Sequence, residues 1–262
     1  MIKIVTWNVN SIRVRIGALQ KLAKDEKPDV VCLQEIKAKK EDFPWEEVKN
    51  LGFENIALYC MPGYNGVAIL SRLPLKDVKE YSHVGKNDAR HISAVVNGKA
   101  EIHNIYIPAG GDIPDVSENP SFKYKLDFIS ELAEFFEKNK AEKRIVCGDF
   151  NVAPLENDVW NHKAMLKIVS HTPVEISKLT KFYQDGGFED MVRHKYPEPQ
   201  KIYSWWSYRN PNWKINNKGR RLDHLWCSPE LVDKIKKVEI YKNFRSYERP
   251  SDHVPVAVEL EI

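Results

Sequence analysis

Between residues 55 and 107, five apolar runs follow one another with only short connections: "NIALYC" (55–60), "GVAILS" (66–71), "DVKEYSHV" (77–84), "HISAVV" (91–96) and "KAEIHNIYI" (99–107). Runs this closely spaced predict antiparallel sheet. Asn97-Gly98 strengthens the prediction, because both residues tolerate the positive φ that a tight hairpin requires. The flanks read differently. "IKIVTWN" (2–8) is a strand, Ser11 is placed to cap a helix through "IRVRIGALQKLAKDEK", and "DVVCLQE" (29–35) is a nearly all-apolar strand of the kind buried on both faces. Strand, helix, strand makes one βαβ-like unit. A long helix is predicted over 124–140, with Leu126, Ile129, Leu132, Ala133 and Phe136 on one stripe, followed by a strand at 144–149. Residues 155–200 mix short helical patterns with loops, and 202–208, 221–228, 236–243 and 253–262 read as strands. Two strand-rich halves, each with its own long helix, predict two packed sheets with helices outside. With no repeat and no linker, residues 1–262 are expected to form one domain.

A net charge of +3 permits nucleic acid as a partner without arguing for it, so local clusters must carry that case. Cys32, Cys60, Cys147 and Cys227 are far apart, form no CxxC pair and lie in or beside apolar runs. They read as reduced core residues of a reducing compartment. "MIKIVTWN" enters a strand at once, and no apolar run approaches the ~20 residues of a membrane helix. The expectation is a cytoplasmic protein that does not touch membrane, with nucleus or organelle still open.

Polar residues gather where strands end. The first strand runs out at Asn8 and Asn10, the second at Gln34 and Glu35, the hairpin's second strand at Tyr106, and the 144–149 strand at Asp149 and Asn151. Asp223 and His224 interrupt "RLDHLW", and Asp252 and His253 begin the last strand. Residues two apart on an extended chain point the same way, so Asp149 and Asn151 are expected to aim at one spot. Each position taken singly is explained by capping or a solvated loop. Together they predict one rim onto which the strand ends converge. The donors are hard oxygens, with neither the cysteine nor the HExxH pattern of zinc sites, which suits Mg²⁺, with Mn²⁺ able to substitute. Carboxylates around a divalent cation with a histidine nearby suit phosphoryl chemistry. There is no GxxxxGK[ST] loop, no GxGxxG after a strand and no GxSxG elbow, so neither a nucleotide cofactor nor a serine hydrolase is indicated.

"TWNVNSIR" (6–13), "DVVCLQEIK" (29–37), "YNGVAILSR" (64–72), "GDFNVAP" (148–154), "YSWWSYR" (203–209), "RRLDHLWCSP" (220–229) and "SDHVPV" (251–256) occur in the order found in the exonuclease III family. The chain resembles that family of apurinic/apyrimidinic endonucleases, within the endonuclease/exonuclease/phosphatase superfamily, over essentially its whole length. The resemblance implies an α/β, DNase I-like four-layer sandwich of two packed mixed β-sheets flanked by helices. It implies metal-dependent hydrolysis of duplex DNA 5′ to an abasic site, leaving a 3′-hydroxyl, with 3′-phosphodiesterase, 3′-phosphatase and 3′→5′ exonuclease activity alongside. It also implies the residue roles. Glu35 is the principal metal ligand, helped by Asn8 and Asp252, and Asp149 with Asn151 offers a second metal position. Asp149 positions or deprotonates the attacking water, Asn151 holds the water or a phosphate oxygen, and Tyr106 acts through its hydroxyl. Asp223 is the partner of His253.

Abasic DNA has no base to read, so recognition rests on phosphates, bending and a pocket for a bare sugar. Basic residues interleave with aromatics in "SWWSYRNPNWKINNKGRR" (204–221), and the expected DNA contacts are Lys37, Arg90, Trp205, Arg209 and Arg220. Of the tryptophan pair, one is expected to face the core and Trp205 to form the sugar pocket's wall. Ala109 in "YIPAGG", where many relatives carry Asn or Gln, and Arg220, where some carry Trp, depart from the family pattern. The expected partner is double-stranded DNA with abasic sites or blocked 3′ ends, met by a monomer. The alternatives are another metal-dependent phosphoesterase of the superfamily, acting on RNA, inositol phosphates or lipid, and a catalytically silent DNA-binding module.

Overall fold

The computed structural model describes residues 1–262 and contains two six-stranded mixed sheets packed face to face. The strands are β1 (Ile2–Asn8), β2 (Val30–Gln34), β3 (Asn55–Tyr59), β4 (Val67–Ser71), β5 (Leu75–His83), β6 (Lys86–Val96), β7 (Ala100–Tyr106), β8 (Arg144–Asp149), β9 (Glu189–Asp190), β10 (Asp223–Cys227), β11 (Ile235–Ile240) and β12 (Val256–Leu260). One sheet runs β11-β12-β1-β2-β4-β3 and the other β5-β6-β7-β8-β10-β9. The helices that matter here are α1 (Ile16–Asp25), α2 (Trp45–Asn50), α3 (Pro120–Lys138), α4 (His162–Met165) and α5 (Pro173–Gly186).

Alternation explains the layering. On β1, Ile2 and Ile4 face the other sheet and pack with Val30, Cys32 and Ile69 against Ile92, Ile102, Ile145, Cys147 and Leu225. Val5 and Trp7 face outward and are covered by Leu19 and Leu22 of α1. On the far side, Ile105, Val146 and Trp226 are covered by Phe128, Ile129, Leu132 and Phe136 of α3 and by Leu179 and Phe182 of α5. Helix, sheet, sheet, helix is the four-layer sandwich, and burial on both faces accounts for the near-continuous apolar runs. No helix is long and apolar enough to cross a membrane.

Two strand pairs are parallel, β1 with β2 and β7 with β8. Parallel neighbours finish at the same sheet edge, so Asn8 lies opposite Gln34, and Tyr106 lies opposite Asp149. The antiparallel β10 starts at that edge, with Asp223 opposite Asp149. The hairpin after β6 forms as its sequence predicts: Asn97 and Gly98 take φ of 51° and 65°, and Lys99 N–H closes the turn on the Val96 carbonyl.

Several boundaries differ from the sequence reading. Ser11 caps no helix. The N–H groups of Val9, Ser11 and Ile12 bond the carbonyls of Gln34, Glu35 and Ile36, which keeps this segment paired along β2's continuation and delays α1 to Ile16. Helix α3 starts at Pro120, four residues before the expected start at 124, because the Asn119 side chain accepts from the N–H groups of Ser121 and Phe122. Residues 202–208 form no strand: Trp205 alone bridges Arg220 on one side and His253 on the other. Asp252 and His253 precede β12, which begins at Val256.

Candidate active site

Asp149 and Asn151 do converge, but not by strand alternation. Beyond β8 the chain turns, with Asn151 at φ 52°. Asn151 N–H donates to Asp149 Oδ1 at 2.9 Å, and its amide Nδ2 donates to Asp149 Oδ2 at 3.2 Å and to the Ile107 carbonyl at 2.9 Å. This is an Asx-type turn in which the aspartate folds its own following loop. Gly148 makes the approach possible. Its φ is 143°, and a Cβ there would lie 1.8 Å from the Ile105 carbonyl oxygen on β7.

Around Asp149 the groups of both sheets meet. Asn8 Nδ2 donates to Asp149 Oδ2 at 2.8 Å and to Glu35 Oε2 at 2.9 Å, so one carboxamide joins carboxylates from opposite sheets. Its oxygen accepts from Asn10 N–H at 3.0 Å, so Asn8 turns its nitrogen, not a ligand oxygen, toward the carboxylates. Glu35 sits in the left-handed region at φ 54°, a conformation that a non-glycine residue holds only under tertiary constraint. Its Oε1 pairs with Lys37 Nζ at 2.7 Å. Asp252 is held through Oδ2 by the Trp205 indole N–H at 2.9 Å and through Oδ1 by Asn10 Nδ2 at 3.3 Å.

His253 lies between two carboxylates, with Nδ1 2.8 Å from Asp223 Oδ2 and Nε2 3.5 Å from Asp149 Oδ2. Burial works against the imidazolium, yet Asp223 and then Asp149 overcome it and lift the pKa of His253 to about 10. Burial likewise raises Asp149 to about 7, against the pull of His253. Burial, with Glu35 and Asp149 nearby, holds the Tyr106 phenol well above its usual range, so it remains a hydroxyl donor. Asp149, Asp223 and His253 are also the three groups close enough to share one ion. Both ring nitrogens of His253 already face carboxylates: Nδ1 is hydrogen-bonded to Asp223, and Nε2 faces Asp149 as an ion pair at 3.5 Å.

These groups edge a cleft of about 690 Å³ lined by Tyr106, Asp149, Asn151, Trp205, Asp252 and His253, with Arg209, Lys218 and Arg220 along its walls. Trp206 is buried in the core while Trp205 lines the cleft, as expected of the pair. The expected basic contacts divide. Arg209 is exposed at the cleft. Arg220 lies against Trp205, 4.8 Å from the ring centroid, and donates to the Val169 carbonyl and Ser170 Oγ. Arg90 is largely turned inward. It bonds Asp88 at 2.5 Å, Asn65 Oδ1 at 2.9 Å and the Tyr106 carbonyl at 3.3 Å, with its guanidinium 4.7 Å from the Tyr106 ring centroid, and so braces that tyrosine. Lys37 is engaged with Glu35 and with Asn10 Oδ1.

The sequence reading missed Asn10 as a bridge, Arg15, and the buried Lys125. Arg15 bonds Tyr208 Oη and the Pro250 carbonyl behind the rim. Lys125 carried a signal, because it falls on the stripe of Ile129, Leu132 and Phe136, where a lysine is out of place.

A sequence profile of the Endonuclease/Exonuclease/phosphatase family matches residues 5–253. The chain belongs to that family. It is 29% identical to exodeoxyribonuclease III of Haemophilus influenzae over 99% of this chain and 100% of that protein. Among solved structures, an AP endonuclease from Archaeoglobus fulgidus superposes with a TM-score of 0.92 at 29% identity, covering 100% of both chains. A 3′ phosphatase from Neisseria, bound to a product DNA hairpin, also superposes at 0.92, with 32% identity and 100% coverage of both chains. The two mixed sheets of this family member have the architecture of those neighbours, and the DNase I-like expectation is met.

Proposed function

We propose that this protein is a metal-dependent DNA repair nuclease that hydrolyses duplex DNA 5′ to abasic sites and clears blocked 3′ ends, acting as a monomer through one domain over residues 1–262. The observation that carries this reading is the trio Asp223–His253–Asp149, joined through Asn8 to Glu35 on the opposite sheet and opening on a cleft walled by Trp205, Arg209 and Arg220. The names of the relatives support DNA as substrate: exodeoxyribonuclease III, AP endonuclease, and a 3′ phosphatase bound to product DNA.

The donors fit a hard divalent cation. Glu35, Asp149 and Asp252 crowd oxygens that repel without a counter-charge, and burial, with the charge of Asp223 adding to it, has already pushed Asp149 toward neutrality. Mg²⁺ or Mn²⁺ would be held by Glu35 with Asp252, by Asn8 if its amide rotates, and at a second position by Asp149 with Asn151. When bound, the ion supplies charge neutralisation and polarises a phosphate oxygen.

The chain's own residues do the rest. Asp149, held by two carboxamides and tuned near 7, orients a water and accepts its proton. His253, kept cationic by Asp223, stabilises charge on the phosphoryl oxygens. Tyr106 offers its phenolic proton to the phosphate or leaving oxygen. Arg209 and Arg220 meet backbone phosphates, and Trp205 presents a flat face to a sugar without a base.

The decisive test is a labelled duplex with one abasic residue, incubated with Mg²⁺ and then with chelator. Cleavage 5′ to the lesion that stops on chelation is expected; turnover of RNA or inositol phosphates with the abasic duplex left intact would refute the assignment. Asp149→Asn is expected to abolish cleavage while binding of abasic DNA, followed by gel shift, is retained. Undiminished turnover in that variant would remove Asp149 from its role.

A further inference from the structure

Beneath the cleft floor lies an ion pair sealed from solvent. Lys125 of α3 and Glu175 of α5 meet at 2.5 Å, and both side chains are 0% exposed. The remaining ammonium contacts are two backbone carbonyls, Asn151 at 2.8 Å and Ala109 at 3.3 Å. Three donors therefore meet three acceptors, with none left over. Glu175 in turn accepts from Ser170 N–H at 2.9 Å and from Thr172 N–H and Oγ1 at 3.1 and 2.7 Å. One buried cation thus ties three rim loops: the one after Tyr106, the one after Asp149, and the 169–172 segment whose Val169 and Ser170 hold Arg220 against Trp205. The fit is tight. At Gly110, with φ 87°, a Cβ would lie 2.8 Å from Lys125 Cδ.

We infer that Lys125 is a positioning residue for catalysis, fixing the backbone of Asn151, and through it the Asp149 carboxylate, from behind the cleft. The inference rests on the hydrolytic reading of the site. A buried pair is weak evidence of a stabilising purpose, because replacing both members by uncharged groups is often neutral in stability. What an uncharged replacement does not keep is the ammonium's grip on two carbonyls. Asn151 holds a left-handed backbone at φ 52° with both Asp149 oxygens on its N–H groups, so loss of the tie at its carbonyl lets the carboxylate drift from its water. Displacements of about 1 Å at a reacting group cost on the order of 100-fold.

Three proteins test this: wild type, Glu175→Gln, and Lys125→Met/Glu175→Gln, compared by thermal melting and by kcat and KM on the abasic duplex with Mg²⁺. Glu175→Gln keeps the ammonium on Asn151 but leaves it buried without its counter-charge, so it is expected to melt below wild type while kcat, assayed well below its melting temperature, stays within about threefold of wild type. The double variant is expected to melt near wild type yet lose ~10- to 100-fold in kcat with KM little changed. Lys125→Leu/Glu175→Met is read by the same criterion if the first pair does not fold. A folded double variant with wild-type kcat, or one that loses only KM, overturns the inference while the hydrolytic reading stands. A wild type that cleaves neither the abasic duplex nor a 3′-phosphate end overturns both.

Discussion

His224 makes the fold sensitive to acid at the strand that carries the site. It sits on β10 beside Asp223 but points to the opposite face, where its ring stacks on Phe150 at 5.0 Å and 15° and meets Trp226 edge-on at 5.5 Å. Its Nε2–H donates to the Val152 carbonyl at 2.9 Å, while Nδ1 is buried without a partner. A second proton would have nowhere to go. Burial, with the charge of Arg221 adding to it, pushes the pKa down to about 4 from 6.5. Above pH 6.5 both folded and unfolded chains carry the ring neutral, and its titration contributes nothing. As pH falls below 6.5 the unfolded chain takes up a proton that the folded chain refuses, so stability is lost until pH reaches about 4. A gap of about 2.5 pH units at ~1.4 kcal/mol each comes to about 3.5 kcal/mol, of which about 3 is lost by pH 4, a large fraction of the 5–15 kcal/mol typical of a domain. His224→Gln keeps a donor for Val152 and removes the titration. Urea unfolding of wild type and variant at a series of pH values between 7 and 4 measures the difference. The wild type is expected to lose about 3 kcal/mol more than the variant over that range, with the gap opening by up to about one proton per molecule. Other buried histidines act equally in both proteins and cancel. Parallel stability curves would show that the ring protonates in place and would refute the reasoning.

Three further outcomes follow from the geometry. Asp223→Asn removes the largest influence raising His253, so the alkaline limb of the pH–rate profile should move to lower pH and kcat at neutral pH should fall by roughly 10²- to 10⁴-fold; an unmoved limb would detach His253's charge from the reaction. Gly148→Ala puts a methyl against the Ile105 carbonyl and forces β7 from β8 just where Tyr106 and Asp149 lie abreast, so a loss of about 2–4 kcal/mol by thermal melting and a lower kcat are expected, and wild-type kcat would contradict the packing argument. His91 is the middle of a buried ladder, 2.9 Å from His83 and 2.8 Å from His103; His91→Leu strands a ring nitrogen at each end and should cost about 2–5 kcal/mol in urea unfolding, whereas an unchanged midpoint would mean the ladder contributes nothing.

Much of the architecture was legible because it is encoded in short-range periodicity. The NG turn, the alternating and continuous apolar strands and the α3 stripe each lie within a few residues of one another, and they alone predict two sheets with helices outside. The site was legible as residue types at strand ends, and the ordered motifs assigned roles to them. Chain composition and spacing also narrowed the chemistry to hard oxygen donors with a histidine. What the tertiary structure decided is how those groups are held. Asn8 reaches Glu35 across 27 residues of chain and Asp149 across 141, and no local pattern records which atom of its amide faces them. Arg90 and Lys37 read as DNA contacts, yet one braces Tyr106 and the other pairs with Glu35 and with Asn10 from the neighbouring strand's end. Asn151 meets Asp149 through a turn that the β7 contact at Gly148 permits, not through strand pleat. Lys125 is buried only because Glu175 and two loop carbonyls close over it. Periodicity depends on neighbours along the chain and survives without a fold; a hydrogen bond between residues far apart exists only once the sheets have packed.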